Sequence, residues 1–382
     1  MDLLDDSIVP ERARQRKQAA REFAVDEIEP VVEEYYASGE YPWELLEAAM
    51  DAGFVAQHID PEYGGRGDGI AELLAIAEEF FRVDAGIALT IQLAGFGCEL
   101  LEQYGTDTQK RQYLRPVAEN DQISGLAVSE PETGSDLTRM STEATAVDGG
   151  YELTGEKYWV GNAVEADWLT VYAKTADRED RYSNYSVFIV ETDREGYHAE
   201  HIPKKIGMCA SKQGHIVLED CFVPESNLIG TEGGGFYMLA EFFNMGRVVV
   251  GGHGLGLAAA AIEEAEAFVA ERQSFGRSID SFQAVQHTIA DMRLRFESAR
   301  ALCWRACRKV EAGKNPGYWA ALAKTHATEA AVFCAERSMQ LHGGRSVFAD
   351  RRISRVYRDV RIPVIYEGAN EIQRNLIFRQ RP

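Results

Sequence analysis

The hydrophobic period of this chain changes twice, and those two changes restrict what it can fold into. Up to about residue 118 apolar side chains recur at helical spacing. From about 119 to 229 they form short β-type runs split by turn residues, and from about 230 the helical spacing returns and holds. The expected architecture is α+β and multidomain. It comprises an N-terminal helical domain over 1–118, a middle antiparallel β-barrel or sandwich over 119–229, and a C-terminal helical bundle over 230–382. A length of 382 residues exceeds one ordinary core and agrees with such a division. No segment shows the βαβ rhythm of a nucleotide-binding parallel sheet, and no G-x-G-x-x-G follows a strand.

Within the first block, REFAVDEIEPVVEEYY places Phe23, Ile28, Val31 and Val32 on one side, with Pro30 as a break or first-turn residue. The stretch from Ala71 to Gly105 is apolar enough for a helix pair buried on most sides. In the middle block, YELTGEKYWV reads as two strand halves with a turn at Thr154-Gly155. DWLTVYAKT alternates Trp168, Thr170 and Tyr172 against Leu169, Val171 and Ala173. Three long helices follow, the third closed by Gly343 and Gly344. A shorter one, RRISRVYRDV, leads into RIPVIYEGANEIQR.

Composition narrows the function. Forty basic against 61 acidic residues give a net charge of −21, which argues against nucleic-acid binding. Arginine outnumbers lysine 30 to 10, and an acid-rich, lysine-poor surface suggests adaptation to high salt. No run approaches the ~18 uncharged apolar residues that a membrane helix needs, so membrane insertion is not expected. The N-terminus starts acidic, without signal- or transit-peptide features, so a cytoplasmic protein is expected. The six cysteines lack paired C-x-x-C spacing, so no zinc or other metal site is expected. All six read as buried, reduced thiols.

Glu367 stands directly before Gly368, between an apolar run and a helix start. On its own it reads by default as a solvated turn glutamate. Arg272 alone fits a helix-end cation, and Trp159 alone fits plain core.

Four stretches together resemble the acyl-CoA dehydrogenase family, a flavin enzyme family with the same α–β–α order. They are LAVSEPETGSD (126–136), GEKYWVGN (155–162), ERQSFGRSIDSFQAVQHTIADM (271–292), and QLHGG (340–344) with IYEGANEIQR. The likeness runs in order from about residue 20 to 380. It implies FAD as cofactor and Glu367 as the base. Ala127, Val128, Ser129 and Ser135 would line the flavin and acyl-CoA site, with Trp159 beside the isoalloxazine ring. Gly161 stands where the family usually has a hydroxyl near flavin N5, and Arg139 where a small residue is usual. Arg272, Ser274, Phe275 and Gln283 match positions that contact the dinucleotide of a neighbouring subunit, which implies an oligomer, by family habit a homotetramer. Gln340, Gly343, Gly344, Ala369 and Glu371 match further cofactor positions. Asn244 and Arg247 match positions that hold the CoA portion, with Tyr366 and Gly368 also at the substrate. Some members carry the base immediately before that arginine; here the residue is Gly246.

The implied reaction is α,β-dehydrogenation of a saturated acyl-CoA to the trans-2-enoyl-CoA, with electrons passed to an electron-transfer flavoprotein. The backbone N–H of Glu367 would meet the charge developing on the thioester oxygen. Burial should raise the carboxyl of Glu367 from ~4.3, a poor value for this proton. The acyl pocket should involve Leu89 to Leu93 and Tyr366. No charge occurs from Ile87 to Cys98, and Gly86 stands near where dicarboxylate-specific members carry arginine, so a monocarboxylic chain is favoured. Gly161 keeps an oxygen-using oxidase as an alternative. A non-catalytic flavin- or acyl-CoA-binding scaffold is the remaining one.

Overall fold

The structure is a computed structural model and describes residues 6–382; the first five residues of the N-terminus discussed above lie outside the described residues. Helix α1 (Glu11–Phe23) runs into α2 (Val32–Ser38) through a π-type turn over Ala24–Ile28 and a 3-10 turn over Glu29–Val31. Pro30 sits in that second turn. It supplies no N–H and crowds the carbonyl four residues earlier, so the helix widens just ahead of it. Helix α3 (Trp43–Asp51) follows.

The expected helix pair is three helices, α4 (Ile70–Val83), α5 (Ala85–Leu93) and α6 (Cys98–Tyr104). Asp84 makes the first break, because its side chain accepts from the Ile87 N–H at 2.9 Å and starts a new helix. Gly97, at φ +94°, makes the second. Short helices α7 (Asp107–Gln109) and α8 (Arg115–Ala118) close this part.

The middle part is one twisted, mostly antiparallel sheet. Its strands are β1 (Ser124–Ala127), β2 (Glu143–Val147), β3 (Gly150–Gly161), β4 (Trp168–Lys174), β5 (Tyr185–Glu191), β6 (Tyr197–His201), β7 (Gln213–Pro224) and β8 (Leu228–Ile229). The order is β6-β7-β3-β2-β4-β5-β8, with β1 added in parallel to β4. Thr154-Gly155 is not a turn. β3 continues through it against β7, with a register shift between Leu153 and Gly155. That bulge puts Gly155 where a Cβ would lie 2.6 Å from Thr142 Cα. Both alternating sets of β4 are covered. Trp168 through Ala173 are all buried, since β4 lies inside the sheet between β2 and β5 and helical residues such as Tyr113 pack on it.

The C-terminal part is built on α9 (Gly235–Glu271), which continues unbroken through Gly251-Gly252-His253-Gly254-Leu255-Gly256. Such glycines weaken an isolated helix by ~1 kcal/mol each. Here they let backbones touch: a Cβ on Gly254 would lie 2.6 Å from the Ala327 carbonyl carbon, and one on Gly256 2.7 Å from the Glu78 carbonyl oxygen. α9 is long and apolar enough by composition to cross a membrane, which the sequence reading did not expect. Yet 89% of its most apolar window is buried inside the protein, as a central core helix is. A small hairpin, β9 (Gln273–Ser274) and β10 (Arg277–Ser278), leads to α10 (Gln283–Glu311). Then come α11 (Pro316–His342), α12 (Arg352–Asp359) and α13 (Asn370–Gln380).

The helical parts share one interior. Glu78 of α4, fully buried, accepts from Arg300 Nε at 3.3 Å and Trp304 Nε1 at 3.1 Å on α10. Of the six free thiols, five are buried and Cys209 is half-buried, so the expectation of six buried thiols fails there.

Because Gly254 is where α9 and α11 meet at backbone distance, Gly254→Ala should destabilise the fold by about 1–3 kcal/mol despite alanine's higher helix propensity. Urea denaturation would measure this; a stabilised variant would contradict the contact.

Candidate active site

Between α12 and α13 the chain turns sharply, with Glu367 at φ +49° and Gly368 at φ +86°. A non-glycine residue in this region stores strain and persists only where its surroundings fix it. Three side chains do so. Arg247 Nε donates to the Glu367 carbonyl at 3.3 Å. Lys324 Nζ donates to the Gly368 carbonyl at 2.9 Å. Gln373 Nε2 donates to both, at 3.1 and 2.9 Å. Arg247, matched in sequence to positions that hold CoA, lines the cavity and also grips the Glu367 backbone.

The residue Glu367 is half-buried, but its Oε2 is sealed from solvent and has no hydrogen-bond partner. Burial pushes its carboxyl up to about 7, against the pull of Arg247 and Lys324 and with a push from Glu99. The carboxylate occupies the space over Gly246: a Cβ there would lie 2.4 Å from Oε2 and 2.9 Å from Oε1. Positions 246 and 367 exclude each other's side chains.

Tyr366 is tied from the other side. Its hydroxyl lies 2.5 Å from His253 Nδ1, and His253 Nε2 lies 2.6 Å from Gln92 Oε1. Burial pulls His253 down to about 3, so the ring is neutral. Gln92 Oε1 only accepts, so Nε2 carries the proton and Nδ1 accepts from the tyrosine. Phe81 stacks on the imidazole at 3.8 Å between centroids.

Across the cavity from Glu367 is the edge formed by β1 and β3. Ala127 ends β1 and its side chain is fully buried; Val128 and Ser129 follow it into the cavity wall. Glu130 then turns back, accepting from the Ser141 and Thr142 N–H groups and from Lys157 Nζ at 2.9 Å. This buried pair clamps the turn to β3. Two residues past Lys157 the β3–β7 register slips again, and Trp159 stands out at φ +59° and 56% exposed. A second bulge thus re-aims an aromatic ring out of the sheet and into the cavity. At Gly161 a Cβ would meet Leu93 Cδ1 at 2.7 Å. The place of the usual hydroxyl is filled by a leucine from α5.

A cavity of ≈ 1580 Å³ runs past these groups. Ser135, Trp159, Asn244, Arg247, Tyr366 and Glu367 line it, as do Gly368 and Ala369. A second, apolar chamber of ≈ 60 Å³ meets it at Glu99, Phe242, Met245 and Glu367. Ile76, Phe80, Ala88, Ile91, Gln92 and Val249 line this chamber, and no lysine or arginine does. Of the stretch expected at an acyl chain, Ile91 and Gln92 take part, whereas Leu93 turns toward Gly161.

The remaining sequence-predicted residues lie elsewhere. Arg272, Ser274 and Phe275 sit on the β9–β10 hairpin and Gln283 at the start of α10. Gln340, Gly343 and Gly344 sit at the end of α11. None lines the cavity, and neither does the exposed Glu371. The two groups are neighbours, because Phe268 below the hairpin stacks on His342 at 4.3 Å. Phe275 is 93% exposed, and Cβ atoms at Gly343 or Gly344 would meet nothing within 4 Å. This face has backbone and ring free for something outside the chain. Two separate surfaces therefore suit parts of a flavin dinucleotide: the cavity wall at Trp159, where a ring could stack, and this face, where an arginine and open glycines could meet a pyrophosphate.

Sequence reasoning missed Lys324, Gln373, His253 and the Glu130–Lys157 clamp. Lys324 carried a signal, a single lysine in the alanine-rich face AALAKTHATEAA, where a solvated cation has no place.

Gly246→Ala should displace the Glu367 carboxylate without unfolding the chain, since only a flexible side chain must move. A crystal structure of the variant tests this, and an unmoved carboxylate would contradict the packing described.

Residues 10–121, 125–221 and 233–381 match, in order, the family profiles "Acyl-CoA dehydrogenase, N-terminal domain", "middle domain" and "C-terminal domain". The chain is 33% identical to "Acyl-CoA dehydrogenase, short-chain specific" of Clostridium acetobutylicum, over 94% of this chain and 95% of that one. It superposes on butyryl-CoA dehydrogenase from Megasphaera elsdenii with a TM-score of 0.93, at 29% identity, covering 97% of this chain and 98% of that chain. It matches equally well, with a TM-score of 0.93 at 33% identity, a chain from the structure "Electron transferring flavoprotein of Acidaminococcus fermentans: Towards a mechanism of flavin-based electron bifurcation", covering 98% of this chain and 99% of that chain. This chain belongs to the acyl-CoA dehydrogenase family and is an FAD-dependent oxidoreductase.

Proposed function

We propose that the enzyme converts a saturated, monocarboxylic acyl-CoA to the trans-2-enoyl-CoA, with Glu367 as the base, and passes the electrons to an electron-transfer flavoprotein. The observation that carries this reading is the Glu367 carboxylate. It stands where the large cavity meets the apolar chamber, with Oε2 unpartnered and its acidity shifted to about 7. A base for a weak carbon acid needs such a shift, because an ordinary glutamate is too acidic to hold the proton.

FAD, when bound, supplies the two-electron acceptor for the β-hydride. The chain's own residues do the rest. Glu367 takes the α-proton on its carboxylate. Its backbone N–H, which has no protein acceptor among the described residues, is available to the thioester oxygen as charge develops there. The chamber keeps water from the acyl chain, and the absence of lysine and arginine from its lining, where His58 faces Glu99, supports an uncharged tail. Ser135 and Asn244 face the cavity as groups for the CoA portion.

Cofactor residues on the hairpin and at the end of α11 do not reach the Trp159 end of the cavity, so we assign them to the FAD of a second copy. The exposed Phe275, Leu294, Val347 and Phe348 support a multimer, with four copies as the expected number. Leu93 fills the space beside Gly161, so position 161 would offer a bound flavin no side-chain hydroxyl.

Glu367→Gln should keep FAD bound while acyl-CoA-driven bleaching of the flavin is lost, and residual bleaching at a tenth of the parent rate or more would contradict the assignment. In the parent, bleaching should fall as pH drops through about 7, because the protonated carboxyl accepts no proton. Reoxidation of the reduced enzyme by air should be slow; rapid reoxidation would favour the oxidase reading.

A further inference from the structure

Lys324 lies about a third of the way along α11, fully buried. Its ammonium donates at 2.9 Å to the Gly368 carbonyl and at 2.9 Å to Asn370 Oδ1, and neither acceptor is charged. The orientation of Asn370 is fixed, since its Nδ2 donates to Thr328 Oγ1 at 3.0 Å and to Glu329 Oε1 at 3.3 Å. This leaves Oδ1 toward the lysine. Burying an ammonium against two neutral oxygens is costly. Holding the carbonyl does not require a charge, because the neutral Gln373 already donates to the same oxygen at 2.9 Å. The positive charge therefore needs another role, and the carboxylate one residue before Gly368 gives it one.

We propose that Lys324 is a positioning residue for Glu367: its ammonium pins the Gly368 carbonyl and is the fixed counter-charge that keeps the base ionised near neutral pH. This rests on Glu367 being the base.

The groups facing Glu367 agree with that role. From α9 come Arg247, which is held on the Glu367 carbonyl, and His253, which is neutral. From α6 comes Glu99, which opposes ionisation. From α11 come Lys324 and Glu329, the latter already paired to Arg374 at 2.5 Å. From α13 comes the exposed Glu371. Tyr366, in the same loop, is pushed up by burial and stays neutral. Burial pulls Lys324 down to about 8, and Glu367 leads the groups that raise it, ahead of Glu371 and Glu329. Glu367, at about 7, is pushed up by burial and pulled down by Arg247 and Lys324. A positive neighbour stabilises the carboxylate, so removing it must raise the midpoint of Glu367 and move the acid limb to higher pH.

The test uses the FAD-loaded full chain and its Lys324→Met, Lys324→Gln and Lys324→Arg variants. Flavin bleaching is followed from about pH 5 to pH 9.5 with butyryl-CoA and octanoyl-CoA. In parallel, the carboxylic C=O stretch of Glu367 is titrated by difference infrared, identified by its loss in Glu367→Gln. Both midpoints should rise by about one pH unit in the Met and Gln variants. Bleaching should then be about tenfold slower than the parent at pH 6.5, with the rates converging at high pH. The Arg variant should keep the parent midpoint. A proportional loss at every pH with an unmoved infrared midpoint would overturn the proposal and leave Lys324 a purely structural group. If the Met variant does not fold, the Gln variant decides by the same two outcomes. If neither thioester bleaches the parent, the family-based reaction is at fault, and the infrared midpoints still decide the role of Lys324.

Discussion

Everything at this site depends on a strained turn held closed by buried donors. Glu367 and Gly368 take left-handed backbone angles in succession, and their carbonyls are gripped by Arg247 from α9, Lys324 from α11 and Gln373 from α13. Each donor is anchored in a long or well-packed helix, so a loop residue acquires the rigidity of the bundle. The side chain then has one place to go, the gap over Gly246 at the mouth of the apolar chamber. Strain at the turn and burial of its carboxyl are two sides of the same arrangement. Without the grip the residue would relax toward solvent and behave as an ordinary acid.

The opposing wall follows a comparable logic. Two register slips in β3 do different work: the one at Gly155 keeps the strand in the sheet, and the one before Val160 turns Trp159 outward. The buried Glu130–Lys157 pair fixes the β1 end against β3 between them. α5 closes the gap, with Leu93 against Gly161 and Gln92 reaching His253 and so Tyr366. Wall and base loop are therefore connected through one short helix of the N-terminal part. Such a link lets a change in α5 reach both partners of the reaction at once.

Much of the fold was legible because period reports burial. The long helices and the strand block emerged at the right places, and Pro30 marked its irregularity. What failed was local. A Thr-Gly pair looks the same in a turn and in a bulge, and only pairing with β7 distinguishes them. Alternation in β4 was legible, but not that both of its faces are covered. The glycines of GGHGLG lower helix propensity, and only the close approach of α4 and α11 explains why they remain helical. At the site, Glu367 was singled out through its company of motifs, and it stands where the two cavities meet. Lys324 and His253 were missed because a buried polar residue within an apolar stripe carries no motif, only an anomaly of placement. Arg247 lines the cavity, as its match to a ligand position implied, and its bond to the Glu367 carbonyl was not legible.

The central claim is that a carboxylate made unusually basic by burial removes a proton next to a thioester. Proton exchange tests it apart from hydride transfer. A 3-thia-acyl-CoA has sulfur at the β position and cannot give up hydride there, yet its α-protons remain acidic. In D2O, with FAD bound, the account predicts enzyme-dependent exchange of those α-protons, seen by proton NMR and half-maximal near pH 7. Absence of exchange, or exchange with no midpoint between about pH 6 and pH 8, would contradict it.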